Sequence, residues 1–226
     1  MERMPVIFVA DGSPRMFDDP EWQAQLHEWG TSLPRPKAIL VFSAHWLQRP
    51  ITLGPTTTVP LTYDYYGFPD RYYEVQYPTP GAPDLAQRVV DLLAGTGPIM
   101  QDPERGLDHG AFVPLMYLLP EADVPVLSVS QPTLEPAVLF ELGRRLAPLR
   151  NEGVMVTAAG LLTHGHEPGK RMVPGAPTPS FNMEFDAWVA DTLARRDYDA
   201  LLDYQERAPG VQLALPTVEH LSLIHI

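Results

Sequence analysis

The chain has 226 residues, of which 45% are hydrophobic and 19% charged, a composition typical of one globular α/β domain. Its 16 basic and 28 acidic residues give a net charge of −12, which argues against nucleic-acid partners and anionic membrane surfaces. The absence of cysteine excludes disulfides, thiolate metal ligands and a cysteine nucleophile. No apolar run approaches the ~20 residues of a membrane span, and the N-terminus lacks signal-peptide features, so we expect a cytoplasmic protein.

Four short apolar runs predict the buried strands of a sheet. Each run is followed by turn residues and shows no polar alternation, as expected of strands that are covered on both faces. The runs are Val6–Ala10, Ala38–Phe42, Val124–Ser130 and Val154–Ala159.

Helical patterns alternate with these strands. Pro83 and Pro136 suit the first turn of a helix, and Ser180 suits an N-cap. The alternation predicts an α/β fold: a single layered α/β/α domain with a mostly parallel or mixed central sheet. The predicted helices are Glu21–Thr31, Pro83–Ala94, Pro136–Arg150 and Ser180–Arg195.

The segment Tyr63–Gly81 has a different character, because it is dense in tyrosine and proline and too irregular for one helix or strand. Two interpretations remain open at this point. The segment is either a plain surface excursion or an aromatic wall beside a pocket.

Several histidines and one aspartate lie where strands are predicted to end. Asp11, His45 and His164 each follow a buried strand, and ligands of open α/β sheets bind at the carboxyl ends of strands. His109 lies in a glycine-bracketed turn, and His220 lies near the C-terminus. Two imidazoles and a carboxylate suit a non-haem Fe(II) or zinc site. The alternative is that these are ordinary loop and turn residues.

Other common enzyme signatures are missing from the chain. The Gly-x-Ser-x-Gly nucleophile elbow is absent, which argues against a Ser-His-Asp hydrolase. Neither a P-loop nor a Gly-x-Gly-x-x-Gly fingerprint occurs, so nucleotide binding is not predicted.

Seven sequence blocks in order resemble the class III extradiol ring-cleavage dioxygenases, in particular their DOPA-4,5-dioxygenase-like branch. The resemblance extends from Pro5 to His220, and the order of the blocks makes it specific. The blocks are Gly12-Ser-Pro, Pro36–Trp46, Tyr66-Gly-Phe-Pro, Tyr77-Pro-Thr-Pro-Gly, Gly106-Leu-Asp-His-Gly, Gly160–His164 and Pro216-Thr-Val-Glu-His.

The resemblance implies a mononuclear Fe(II) site, which zinc can also occupy. His45 and His220 correspond to metal ligands, and Glu219 is a more distant candidate. Asp11 stands where the family has its first ligand histidine. A carboxylate can complete a facial triad, but its reach is shorter than that of imidazole by roughly 2 Å, against metal–ligand tolerances of ~0.2 Å.

The resemblance also implies roles at the substrate. His164 corresponds to the acid/base histidine, and His109 to the histidine that faces substrate and O₂. Tyr65 and Tyr66 are predicted as polar handles in the pocket wall. The chain has Leu161-Leu-Thr before His164, where the family usually has an asparagine, so the hydrogen bonding around His164 is expected to differ.

The implied function is Fe(II)-dependent extradiol cleavage of a catechol, DOPA-like or otherwise substituted, by O₂ to a muconic semialdehyde. The expected partners are therefore a small aromatic diol and O₂, with neither nucleic acid nor membrane. A second hypothesis is a non-catalytic or redox metal-binding relative in which Asp11 has ended the oxygen chemistry. A zinc-assisted hydrolase on the same scaffold is a distant third.

The C-terminal residues are expected to be foreign to the gene. Family members continue through a further helix and strand, whereas Leu221–Ile226 match the translation of a transposon end used in preparing sequencing libraries. We therefore expect residues 1–220 to form the dioxygenase-like catalytic domain, truncated at its C-terminus, and residues 221–226 to be a non-native tail.

Overall fold

A six-stranded mixed sheet forms the centre of the molecule in the computed structural model, which describes residues 3–165 and 177–226. The strands are β1 (Val6–Val9), β2 (Ala38–Leu47), β3 (Ile51–Leu53), β4 (Ile99–Gln101), β5 (Val126–Gln131) and β6 (Val154–Ala159). Their spatial order is β1-β6-β2-β5-β3-β4, and only the β3–β5 pair is antiparallel. This sheet confirms the predicted fold class.

Helices cover the sheet on both faces. The longer ones are α1 (Pro20–Ser32), α2 (Pro83–Leu92), α3 (His109–Leu118), α4 (Pro136–Leu146) and α5 (Ser180–Arg195). The shorter ones are α6 (Tyr198–Leu202), α7 (Tyr204–Arg207), α8 (Val211–Ala214) and α9 (Glu219–Ser222). No helix in the described ranges is both long and apolar enough to cross a membrane.

The alternation of side chains along β2 shows why the sheet is covered on both faces. Ile39 and Val41 pack with α1 and α3 residues in one core, whereas Leu40 and Phe42 pack with α2 and α4 residues in the other. All four side chains are fully buried. Each contributes about 1.5–3 kcal/mol by leaving water, which is enough to specify both layers.

The predicted boundaries were accurate where the pattern was strong. β6 and α5 begin and end at the predicted residues. β2, however, continues to Leu47, so His45 lies within the strand and not after it. The N-cap assignment of Ser180 was wrong, because Pro179 holds that position and no side chain caps the helix.

A separate apolar cluster lies at the C-terminal side of the domain. Phe185 and Val189 of α5 pack there against Tyr204, Leu215 and Leu221. Leu215 and Leu221 anchor the chain just before α9 and within it. The cluster therefore helps to position His220, which lies in α9.

The last residues of the chain are packed against the domain. Leu221 and Leu223 are fully buried, and Leu223 joins the core beneath α4. His225 is also buried, and its ring nitrogens lie 2.9 and 3.1 Å from the carbonyl oxygens of Ser222 and Leu201. The expectation that residues 221–226 are a non-native tail stays a prediction.

Candidate metal centre

Asp11 lies at the centre of the site. It follows the carboxyl end of β1 and is only 1% exposed. One of its oxygens, Oδ2, is 3.0 Å from Nε2 of His45 and 3.1 Å from Nδ1 of His220. Despite the shorter reach of aspartate, its carboxylate therefore contacts both histidines.

The two histidines, His45 and His220, lie far apart in the sequence. His45 lies in the carboxyl half of β2, beyond an irregularity of the strand register between Phe42 and Leu47. His220 lies in α9. Because β1, β6 and β2 run parallel, their carboxyl ends share one edge of the sheet, where ligand sites of such sheets are found.

The charges of this cluster support one another. Burial opposes ionisation of Asp11, but the contacts with His220 and His45 outweigh it and lower the pKa of Asp11 to about 2. Burial likewise opposes a charged His45, yet the Asp11 carboxylate raises the pKa of that imidazole. At neutral pH the site therefore holds a buried negative charge beside two imidazoles.

This donor set suits a divalent metal ion. Two imidazole nitrogens and one carboxylate oxygen make the facial triad of non-haem Fe(II) enzymes, and the same set binds zinc. Nδ1 of His220 is buried, and within residues 3–165 and 177–226 it has no hydrogen bond of acceptable geometry. A bound cation would satisfy that nitrogen, so the residues present fit a metal site.

A second carboxylate–histidine cluster adjoins the first. Oδ1 of Asp64 lies 2.8 Å from Nδ1 of His109 and accepts a 3.0 Å bond from the backbone N–H of the same residue. The other oxygen, Oδ2, is 3.8 Å from Nδ1 of His45. Burial opposes ionisation of Asp64, but the bonds from His109 prevail and lower its pKa. His109 opens α3, and its ring centroid is 4.0 Å from that of His45.

His164 lies on the other side of His220. The centroids of the two rings are 4.9 Å apart, and the backbone N–H of His164 is held by the carbonyl of Ala214 at 3.0 Å. Nε2 of His164 lies 2.9 Å from the Thr217 hydroxyl, which donates a 2.8 Å bond to Oε1 of Glu219. Burial lowers the pKa of His164.

Two glycines allow the elements of the site to approach each other. A Cβ on Gly110 would lie 2.4 Å from Ser43 Oγ and 2.8 Å from Cδ2 of His45, so α3 meets β2 only without a side chain there. A Cβ on Gly160 would lie 2.7 Å from the carbonyl oxygen of His220. The close approach of the His45 ring and of the His220 backbone therefore depends on the absence of a side chain at these two glycines.

The aromatic segment 63–81 forms a packed layer against this region. Tyr65 is buried, and its ring meets His109 edge to face with centroids 5.7 Å apart. Its hydroxyl donates to the Tyr72 carbonyl at 2.5 Å. Tyr77 is also buried, and its hydroxyl shares its proton between the carbonyls of Leu115 in α3 and Leu119 directly after it. This packing argues against a plain surface excursion, and the interpretation as an aromatic wall beside a pocket stays a prediction.

The other predicted handle, Tyr66, is 91% exposed at the tip of the segment, just before Gly67 with its left-handed φ of 76°. The structure thus separates the two tyrosines: one ring lies against His109, and the other projects into solvent. Their role as substrate handles stays a prediction.

Sequence reasoning missed Asp64, Thr217 and Arg105. The Arg105 guanidinium bonds the His45 carbonyl at 3.3 Å and Asp108 at 3.1 Å, and it stacks on Trp46. It thereby holds the end of β2 against the start of α3. Only for Thr217 was a signal available, because it lies three residues before His220 in an identified block.

The fold and the site define a metal-dependent α/β enzyme with a histidine–carboxylate centre, and comparison with known families agrees. Residues 5–224 match the family model of the catalytic LigB subunit of aromatic ring-opening dioxygenase. The chain belongs to this family, and within it to the class III extradiol dioxygenases of the DOPA-dioxygenase-like branch.

Individual relatives support this placement. A 4,5-DOPA dioxygenase extradiol of Beta vulgaris is 38% identical over 97% of this chain and 84% of its own length. One of Escherichia coli K12 is 37% identical over 99% of this chain and 84% of its own length. A crystal structure of an uncharacterised protein from Escherichia coli K12 superposes with a TM-score of 0.79 at 33% identity, covering 99% of this chain and 87% of that one.

Proposed function

We propose that the protein uses Fe(II), bound by Asp11, His45 and His220, to cleave a DOPA-like or otherwise substituted catechol with O₂. The product would be a muconic semialdehyde that incorporates both atoms of O₂ and keeps the two oxygens of the catechol. The observation that carries this proposal is the convergence of the two imidazole nitrogens on one buried carboxylate oxygen, at 3.0 and 3.1 Å. The DOPA dioxygenase relatives supply the substrate class.

The bound Fe(II) would supply the chemistry that the side chains lack, by anchoring the diol and enabling its reaction with O₂. The three ligands supply the charge that holds it. Asp11 contributes a carboxylate that is ionised throughout the neutral pH range, because its pKa is about 2. Its negative charge offsets part of the charge of a divalent cation in a buried site.

His164 is the proposed proton carrier. Its pKa is lowered by burial, so the imidazole is neutral at physiological pH and can accept a proton from a catechol hydroxyl. The same group, once protonated, can return that proton as an acid later in the reaction. Its ring centroid lies 4.9 Å from that of His220, a proposed ligand, and this proximity supports a role for His164 toward a diol bound at the metal centre.

His109 and the aromatic wall form the opposite side of the proposed pocket. The ring of His109 lies beside His45, with Asp64 on its Nδ1 atom, so Nε2 is the nitrogen left for substrate or O₂. Tyr65 covers His109 with its ring edge and engages its hydroxyl within the protein. Because its hydroxyl is already engaged, Tyr65 would shape the pocket and restrict the access of water to it, and would not be a main hydrogen-bond donor to the substrate.

Oxygen uptake by the protein reconstituted anaerobically with Fe(II) tests the proposal, with DOPA and a small panel of catechols as substrates. We expect stoichiometric uptake and a yellow ring-opened product. His45→Ala should abolish both Fe(II) binding and uptake, whereas His27→Ala should change neither, because His27 lies on the exposed face of α1.

Two other results would overturn the proposal in different ways. Tight Fe(II) or Zn(II) binding without uptake would favour the metal-binding relative, in which Asp11 supports a metal but not the oxygen reaction. Unchanged Fe(II) affinity in His45→Ala would show that the ligand assignment is wrong.

A further inference from the structure

The hydrogen-bond partners of two site histidines fix where their protons lie. A neutral imidazole has one N–H donor and one acceptor nitrogen, and the partner of one nitrogen decides which is which. His109 and His164, on opposite sides of the metal centre, each contact one such partner. The two partners impose opposite arrangements.

His109 faces a group that can only accept. The ionised carboxylate of Asp64 has no proton to give, so the 2.8 Å contact between its Oδ1 and Nδ1 requires a proton on Nδ1. The same oxygen also accepts the backbone N–H of His109 at 3.0 Å, which fixes the carboxylate in place. The second nitrogen, Nε2, is then left as an acceptor.

His164 faces a hydroxyl whose single proton is already engaged. Thr217 Oγ1 donates to Glu219 Oε1 at 2.8 Å, so at its other contact it must accept. The 2.9 Å contact with His164 therefore requires a proton on Nε2. Nδ1 is left as the acceptor; it is buried and has no hydrogen-bond partner in the part of the chain that the structure describes.

We propose that His109 and His164 are held as opposite tautomers, His109 protonated on Nδ1 by Asp64 and His164 protonated on Nε2 by the Thr217–Glu219 pair. Asp64, Thr217 and Glu219 are thus positioning residues that act through the two histidines. The functional consequence of this inference rests on the proposed function. Each side of the centre offers one unprotonated ring nitrogen, and these two nitrogens could accept the two hydroxyl protons of a vicinal diol.

The tautomers are measurable without turnover. Two-bond ¹H–¹⁵N correlation spectra of the full chain, labelled with ¹⁵N-histidine, show which nitrogen of each ring carries the proton. Spectra at about pH 8, where ordinary imidazoles are neutral, would be recorded on EDTA-treated and on Zn(II)-loaded protein. His109→Gln and His164→Gln assign the signals by their loss. We expect Nδ1–H for His109 and Nε2–H for His164 in both samples.

Two variants test the partners against each other. Thr217→Val keeps the shape of the side chain but removes its acceptor, so the His164 pattern should change while that of His109 stays. Asp64→Ala should do the reverse. Thr217→Ser retains the hydroxyl and should restore the wild-type His164 pattern. If both rings of the wild type carry the proton on the same nitrogen, or if Thr217→Val leaves His164 unchanged, the inference is wrong.

Oxygen uptake separates this inference from the proposed function. Loss of an outer hydrogen-bond partner typically lowers activity 10–100-fold, so we expect Thr217→Val to lower kcat by about that factor with little change in KM, and Thr217→Ser to recover it. A wild type with the expected tautomers but no uptake would refute the proposed function alone. A wild type with uptake but other tautomers would refute the inference alone.

Discussion

Two clusters of one aspartate and two histidines share His45 and yet differ in what their carboxylates do. In the first, a single oxygen of Asp11 contacts nitrogens of two different residues, and the aspartate is almost fully buried. In the second, a single oxygen of Asp64 bonds both the ring and the backbone of one residue, His109. The Asp64 side chain is 20% exposed.

Both clusters contain residue types that could hold a metal ion, and this difference in contacts is the reason why the Asp11 cluster is the one proposed as the metal site. The Asp11 cluster brings donors from three separate elements to one point, which is the arrangement a cation requires. The Asp64 cluster uses its carboxylate to orient one imidazole, with Oδ2 3.8 Å from the outer nitrogen of His45. A carboxylate behind a ligand histidine orients that ligand and raises its basicity.

The largest expected effect compares the two carboxylates directly. Asp11→Asn removes the charge of a proposed ligand, so the affinity for Zn(II) and Fe(II) should fall by more than about 100-fold. Asp64→Asn removes only an outer partner and should lower that affinity by about 10–100-fold at most. Competition with a chromophoric chelator measures both. Equal losses would show that the two clusters do not differ in role.

A smaller effect is expected at the contact between the two clusters. Gly110→Ala places a methyl group 2.8 Å from Cδ2 of His45 and 2.4 Å from Ser43 Oγ. Overpacking of this kind costs about 1–3 kcal/mol of folding free energy and should displace His45 from Asp11. Chemical denaturation and metal titration would record the two consequences.

Gly67→Ala is the matched control for that substitution. Within the described residues no heavy atom lies within 4 Å of the added Cβ, although the left-handed φ of 76° makes the change strained. It should lower stability without lowering metal affinity. If Gly110→Ala destabilises the fold but leaves metal binding intact, the position of His45 does not depend on this approach.

The smallest effect concerns the contact between the aromatic segment 63–81, which contains Asp64, and Asp18, which follows Asp11 in the chain. The Tyr72 hydroxyl donates to Asp18, and this bond, with Arg71, lowers the pKa of the Asp18 carboxyl below its ordinary value of 3.8. A lowered pKa means that the stabilisation is present above about pH 4 and is lost as the pH falls through the folded-state value.

Tyr72→Phe tests this attachment. The variant should melt at a lower temperature than the wild type at pH 6, and the difference should shrink as the pH falls below 3.8 and through the lowered folded-state pKa of Asp18, because the carboxylate that accepts the Tyr72 bond is then lost. Thermal melts across that range measure it. A difference that stays constant with pH would show that the Tyr72 hydroxyl does not act through the charge of Asp18.

Secondary structure was predictable where a periodic pattern extends over enough residues. The sequence pattern did not predict the helix α3. Eight of its ten residues are buried and Pro114 lies inside it, so the helix has no amphipathic period. The helices α6 to α9 have only four or five residues each, too few for a periodic signal. Tertiary packing, not local preference, stabilises such short helices.

The sequence by itself determined the layered α/β fold, because continuous apolar strands alternate with helices, and it determined Asp11 and His45 as candidate ligands through their places beside strand ends. Only the tertiary structure decided what surrounds them. Asp64 lies 45 residues from His109 in a segment without periodicity, and Thr217 lies 53 residues from His164. Such bonds join residues distant in the chain, and folding alone brings their atoms within 3 Å.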